Sequence, residues 1–466
     1  MSTTNREWCI HSRSRRTIMP ISFRALVVYG ALMLPVVVQA ESLSLDDAIR
    51  YALHHNPELR AAQAQTAAAD DRAKAAKGAF LPQLGVSYLA RRSDNPLDAF
   101  ADKLNTRSVT AADLNPAAIN DPGKSSLRAT TLSIEMPIYT GGRLTAGARS
   151  ANDQAETAHL AYGYRRQAIA YQTLRGYRSA QATTLAVQIA EDAVAAARQH
   201  TETTTRLVRQ GRIVASDRLT AELNQSTMES LLVQAKSRQR LALEDLRLIA
   251  GLPSELEIQL PAWERLAPPP PAGANGESRA LASRQDLKAQ EARLRAARAG
   301  ITAARSVFHP QISVVAADSW YDENAALDNK SQSIMGVVSM NLFNGGRDWH
   351  GLSAARRDAD QAEAELDGVR QAVLRDVRAA RSRLTEALAR RQIAEQGIDK
   401  ARETVRLVNQ RYGEGRTILI DLLMAERVLV EARTEELNAS VLAELAAAEV
   451  QLAEGTLPLP GETPTN

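Results

Sequence analysis

Leu132, Ile134, Met136 and Ile138 alternate with Ser133, Glu135 and Pro137, and a period of two predicts a strand with one apolar and one polar face. Leu84, Val86 and Tyr88 carry the alternation less cleanly, and Val338, Met340 and Leu342 alternate with Ser339 and Asn341. Two environments account for such strands: a half-buried sheet on a soluble core, or a membrane barrel, whose strands give a weak signal one at a time. A different period follows each strand pair. Val373, Val377, Ala380, Leu384, Ala387, Ala394, Ile398, Ala401, Val405 and Val408 recur at spacings of four and three, with Arg391 the lone exception. A repeat of about 3.5 predicts a helix that supercoils about partners. The positions 204 residues earlier are Ile169, Thr173, Gly176, Ala180, Thr183, Val187, Ala190, Val194, Ala197, Thr201 and Thr204. None is charged, and their small size lets helix axes approach closely.

No proline interrupts residues 142–210 or 346–412, so each rod can extend about 100 Å at 1.5 Å per residue. No compact domain needs a helix of that length. Each rod stops at a glycine, in Gln210-Gly211-Arg212 and Glu414-Gly415-Arg416, the residue that ends helices in the left-handed conformation. A second long helix then returns, over about 216–250 and 418–453. Helices of moderate length precede the strands, over 44–77 with a break at Asn56-Pro57, and over 285–306.

The chain therefore states one plan twice. Phe80-Leu-Pro-Gln83 recurs as Phe308-His-Pro-Gln311, 228 residues on; Tyr139-Thr-Gly-Gly-Arg143 recurs as Phe343-Asn-Gly-Gly-Arg347, 204 residues on. Gly211-Arg212, Asp217 and Ala221-Glu222 recur at the same 204 as Gly415-Arg416, Asp421 and Ala425-Glu426. The first unit spans about 41–253 and the second 278–458, joined by a proline-rich linker, 254–277, that contains Pro268-Pro-Pro-Pro271. A short polar tail, 459–466, is expected to be disordered. The drop in offset from 228 to 204 locates 24 extra residues between the first two strands, within Asp94 to Lys124.

Composition adjusts this picture in three ways. Residues 1–40 join a basic stretch to an apolar run and end in Val38-Gln-Ala40, the pattern of a secretory signal cleaved before Glu41. Removing them takes away Arg6, Arg13, Arg15, Arg16, Arg24 and Glu7 and leaves 52 basic against 53 acidic residues, so charge makes no case for nucleic acid. The single cysteine, Cys9, lies in the same leader, which leaves the mature chain no thiol for disulfide or metal. Nothing reactive is duplicated. No nucleophile–histidine pair, phosphate loop or HExxH helix stands out, and His54-His55 are adjacent, about 100° apart on a helix and poorly placed to share a metal. Neither enzyme activity nor a cofactor is expected.

The chain resembles the TolC-type outer membrane efflux proteins over essentially all of its mature length. The residues that carry the likeness are Leu43-Ser-Leu-Asp-Asp-Ala48 with Asn56-Pro57-Glu-Leu59, the Pro-Gln before each first strand, the Gly-Gly-Arg after each second strand, and Tyr412-x-x-Gly415-x5-Asp421-Leu-Leu-Met-Ala425-Glu. The resemblance implies a mainly α fold with a membrane β-barrel: a homotrimer whose three copies give four strands each to one twelve-stranded barrel, above a periplasmic α-barrel of coiled-coil hairpins. It implies a passive exit duct of a tripartite efflux or type I secretion system. The partners would be a periplasmic adaptor protein, an inner membrane pump of RND, ABC or MFS type, and outer membrane lipid. By the same likeness the periplasmic gate falls at Tyr412, Gly415, Arg416, Asp421 and Met424, with Gly211, Arg212 and Asp217 at the matching first tip. The strand-to-helix turns fall at Gly141, Gly142 and Arg143 and at Gly345, Gly346 and Arg347.

Three points stay open on sequence. Three copies of Asp421 on an axis would make a carboxylate ring, yet Asp421 and Asp217 are also placed to complement the dipole of a returning helix. Met424 stands where some members carry a second aspartate. The insertion at 94–124 is either an extracellular loop that constricts the mouth or a tolerated addition. The rival to the duct as a whole is a periplasmic coiled-coil scaffold or adaptor without a pore.

Overall fold

The computed structural model describes residues 42–254, 256–263, 273, 275–323 and 328–461. The expected leader and Pro268–Pro271 lie outside them, as do the last five residues of the expected tail.

Helices α1 (Leu45–His55) and α2 (Pro57–Gly78) are separated by Asn56, whose side-chain oxygen accepts from the backbone N–H groups of Glu58 and Leu59 while Pro57 opens the second helix. The Asn56 amide also donates to Ile249 O at 2.9 Å, which pins the break to the far end of a much longer helix. Strands β1 (Gln83–Ser93) and β2 (Ser125–Tyr139) enclose the insertion, which forms α3 (Pro96–Asn105) and α4 (Pro116–Asn120). Then come the rod α5 (Arg143–Arg209) and its return α6 (Ala215–Ala250). The second unit repeats the order with α7 (Gly276–Ser283), α8 (Gln285–Arg305), β3 (Gln311–Asp322), β4 (Asn329–Ser339), the rod α9 (Arg347–Gly413) and α10 (Leu419–Ala453).

The four strands form one antiparallel sheet in chain order, with β1 and β4 at its edges. Register separates its faces. One cross-strand row runs Leu84, Ile134, Ala316, Ile334; the next runs Gly85, Ser133, Ala317, Ser333. The apolar face leaves Leu84, Val86, Tyr88 and Ile334 more than 60 % exposed, so no soluble core covers it. The opposite face is small and hydroxylated, with Thr131 and Ser319 sharing a 3.0 Å hydrogen bond. β4 ends earlier than the alternation through Leu342 suggests: Asn341 and Asn344 turn their amides onto Asp348 and begin the helix entry.

The long helices carry the core. Every seam position from Val373 to Ala401 is buried, Arg391 included, and Val405 and Val408 are half-buried. In α5 the eleven matching positions are all buried or half-buried. Each buried Val or Leu contributes roughly 1.5–3 kcal/mol, whereas the alanines contribute mainly by allowing close approach. Arg391 is tolerated because its Nε donates to Glu395 at 3.0 Å, one turn away on the same helix.

Around the middle of the rods the chain ends pack as a collar. Tyr177 is fully buried and donates to Leu43 O at 2.8 Å, and Leu43 N–H donates to Gln259 O. Ile258 and Leu260 pack beside Tyr177 and Leu246. Leu457 and Leu459 are buried with Ile49 and Ala170. Ordered packing thus runs past Leu252 into the segment read as linker, and past Pro458 into the segment read as tail.

Candidate functional site at the helical tips and the sheet turns

The two tips share one construction. In the first, Gly211 takes φ +69°, Gly211 N–H donates to Val208 O and Arg212 N–H reaches back to Leu207 O. In the second, Gly415 takes φ +71°, Gly415 N–H donates to Tyr412 O and Arg416 N–H to Arg411 O. A left-handed glycine flanked by these two bonds satisfies the last carbonyls of each rod and reverses the chain. Val214 and Ile418 precede the returning helices and have no capping side chain, which leaves the acidic residue of the first turn to answer the dipole. Asp217 and Asp421 occupy that turn. Asp421 is exposed and accepts from Thr417 Oγ1 at 2.5 Å.

The second tip is apolar underneath. Leu419 and Leu423 pack with Ala221 of the first hairpin, and Tyr412 lies against them. The Tyr412 hydroxyl is buried and has no hydrogen-bond partner among the described residues. Met424 is 51 % exposed. Arg416 extends into solvent and contacts Glu414 at 3.2 Å, a pair too exposed to hold much; Arg212 is exposed as well.

At the other end of the rods, Gly141 and Gly142 take φ of +62° and +86°, and Gly345 and Gly346 take +60° and +82°. Two successive positive angles precede Arg143 or Arg347 at the first helical position of each rod; the first turn follows β2 at once, and the second comes after a short irregular stretch beyond β4. The turns are not equivalent. A Cβ on Gly141 would stand 2.6 Å from Ser306 O and 2.7 Å from the His309 Cβ, whereas one on Gly345 would meet nothing within 4 Å.

The insertion is folded. Leu127 and Ala129 lie on the hydroxylated face of the sheet and are buried, as is Ala99 of α3. Arg91, on the same face, contacts Asp98 at 2.9 Å and the buried Asp102 at 2.5 Å. α3 therefore lies across the polar face, at the end of the sheet opposite the Gly-Gly turns. From there Arg107 reaches Lys330 O on the far edge strand at 3.0 Å. Asp113 is held by Lys103 and then by the Thr110 hydroxyl and amide, and these donors lower its pKa to about 2.

Contacts between the two hairpins had no signal in the sequence, because their partners are more than 200 residues apart. His200 Nε2 lies 2.6 Å from Glu426 Oε1, Arg433 Nη1 lies 3.2 Å from Asp192, and Arg178 Nε lies 3.1 Å from Glu444 Oε2. All three join α5 to α10. Among the described residues no helix is long and apolar enough to cross a membrane.

A sheet with a dry exposed face, set on rods whose tips are built alike, defines a β-sheet membrane protein with a long extramembrane helical body. The outer membrane efflux protein family model matches residues 48–252 and 277–456, one match to each unit. The chain is 23 % identical over 415 residues to the alkaline protease secretion protein AprF of Pseudomonas aeruginosa, covering 88 % of this chain and 83 % of that one. It is 27 % identical over 350 residues to the toluene efflux pump outer membrane protein TtgF of Pseudomonas putida, covering 72 % and 70 %. The outer membrane protein VceC of Vibrio cholerae superposes with a TM-score of 0.74 at 19 % identity, covering 88 % of this chain and 96 % of that one. The chain belongs to the outer membrane efflux protein family. It is an outer membrane channel of efflux or secretion, with its helices in the periplasm.

Proposed function

We propose that three copies close into one twelve-stranded barrel continuous with an α-barrel of twelve long helices. This would be a passive exit duct whose inner end is closed by the paired tips. The observation that carries this reading is an unpartnered stripe on α6. Leu219, Val233, Leu241 and Leu248 are 58, 70, 63 and 77 % exposed. Their equivalents 204 residues on are Leu423, Leu437, Leu445 and Leu452, all buried or half-buried on α10. α10 is covered because it packs on both α9 and α5, whereas α6 packs on α5 and, among the described residues, touches α10 slightly and has no second rod packed along it. The repeat makes α9 the counterpart of α5, so the α6 stripe fits α9 of another copy. The open edges at β1 and β4 call for the same closure.

In this assembly the exposed apolar face of the sheet meets outer membrane lipid and the hydroxylated face lines the pore. An inner membrane pump supplies the energy. A periplasmic adaptor docks near the tips, where α6 and α10 form a groove lined by Ser226, Met228, Leu231, Arg427, Val430 and Thr434. Asp421 faces the axis at the closed end and Tyr412 braces its helix, so Asp421 sets cation preference. The test is conductance of the full-length protein in planar bilayers, wild type beside Asp421→Ala. A small cation-selective conductance that loses selectivity in the variant is expected. A pore indifferent to Asp421 removes the carboxylate ring, and folded trimers that never insert remove the duct.

A further inference from the structure

A cavity of about 530 Å3 lies where α5 leaves the collar, floored by α5 and walled by α6 and α10. It opens on the face of α5 turned away from the collar. Tyr177 is buried under the collar, whereas Arg175 and Ser179, two positions to either side, stand roughly 160° around the helix and line the cavity. A volume of that order holds a small molecule and not a folded partner.

The lining divides into two chemistries. Ala182, Ile189, Leu231 and Leu442 make an apolar wall, and Leu442 is left 43 % exposed. Around it stand Arg175 from α5, Arg238 from α6 and Arg390 from α9. Among the described residues no acid lines the cavity. Arg390 is answered from outside it by Glu435, at 2.7 Å. Arg175 and Arg238 are exposed, and among the described residues neither is engaged in an ion pair. Unanswered guanidinium groups beside uncovered apolar surface fit a molecule that carries an anion on an apolar body, because guanidinium holds carboxylate, sulfonate or phosphate by charge-assisted hydrogen bonds.

This lining is not a by-product of the repeated plan. At the positions 204 residues on, Arg175, Ala182 and Leu231 become Ala379, Glu386 and Glu435, so the matching surface of the second unit carries its own acids.

We propose that the cavity is a binding site for small anionic amphipathic molecules, with the anionic group held by Arg175 and Arg238 and the apolar body against Ile189 and Leu442. An occupant bridges α5 and α6 of the first hairpin to α10 of the second. The site is complete within one chain, so it stands apart from the closure of three copies.

The test titrates full-length protein in phospholipid nanodiscs, by calorimetry, with naphthalene-2-sulfonate and with the uncharged naphthalene-2-sulfonamide. The wild type is expected to bind the sulfonate saturably, one per chain, and roughly tenfold more tightly than the sulfonamide. Arg175→Gln with Arg238→Gln should abolish that preference; both side chains are exposed, so the fold tolerates the change. Labelling locates the site, since the chain has no cysteine beyond Cys9. The sulfonate should slow the reaction of Ser179→Cys with a maleimide several-fold and leave Ser353→Cys, near the start of α9, unaffected. Equal affinity for the two probes overturns the proposal, as does a double variant that binds the sulfonate like the wild type, or a Ser179→Cys rate that the sulfonate does not change. Trimers that conduct but bind no sulfonate remove the site and leave the duct.

Discussion

At the scale of single residues, backbone angle and nearby space decide which glycines matter. Gly141 and Gly345 hold the same place in the repeat and nearly the same positive φ, so an alanine at either costs about 1–2 kcal/mol for the left-handed conformation. Only Gly141 also lacks room for a Cβ. Gly141→Ala is therefore expected to lower the apparent melting temperature clearly more than Gly345→Ala, a comparison that circular dichroism at one scan rate makes directly. Asp113 gives a pH prediction. Its donors, Lys103 first, bring its pKa to about 2, below the ordinary aspartate value of about 3.9. A lowered pKa means that the folded loop binds the proton more weakly than the unfolded chain does. Its contribution is thus complete above about pH 4 and lost as pH falls through about 2. Amide exchange over residues 95–120, corrected for intrinsic rates, should show protection declining across that window, and Asp113→Asn should remove most of the decline.

At the scale of elements, the helices were readable because periodicity reports what a helix buries. The spacing of four and three identified the α9 seam, and the structure buries it; the terminal glycines located both reversals. The strands were readable as alternation, but a single strand does not say what its apolar face touches, and that question needed the cross-strand register. The seam also carries a stability prediction. Arg391 is buried in the seam with its Nε bonded to Glu395 one turn on, and removing one partner of a buried ion pair leaves the other charge uncompensated. Arg391→Met is expected to lower the thermal midpoint, read by circular dichroism. An unchanged or raised midpoint would mean that the guanidinium adds no net stability to the seam. On α6, a charge in the open stripe, Leu241→Glu, should leave helix content intact and abolish assembly, read as a shift from trimer to monomer in light scattering.

At the scale of the whole molecule, one chain leaves two kinds of surface unsatisfied: the edges of a four-stranded sheet and the outer face of α6. In the proposed trimer both are met by the same neighbour, β1 pairing with β4 and α6 packing on α9. The insertion adds a constraint at the opposite end. Folded across the hydroxylated face by Arg91, Asp98 and Asp102, it narrows the lumen in the three-copy ring. Deleting residues 96–120 is then expected to raise conductance without altering selectivity set at the tips. Equal conductance in the deletion channel would make the insertion an addition without effect on flow.

The sequence by itself determined the repeat, the order of its elements, the helical seams and the glycine turns, since each depends on neighbours within one or two turns of chain. It also marked the leader and the extra residues of the first unit. Only the tertiary structure decided which face of the sheet stays dry and uncovered, that the insertion lies over the polar face, and that segments read as linker and tail pack into the collar. It alone brought His200 to Glu426 and Arg178 to Glu444. The reason is range. Periodicity records that a side chain will be buried, but its partner is chosen by how two hairpins lie against each other, and that choice leaves no mark in the spacing of either.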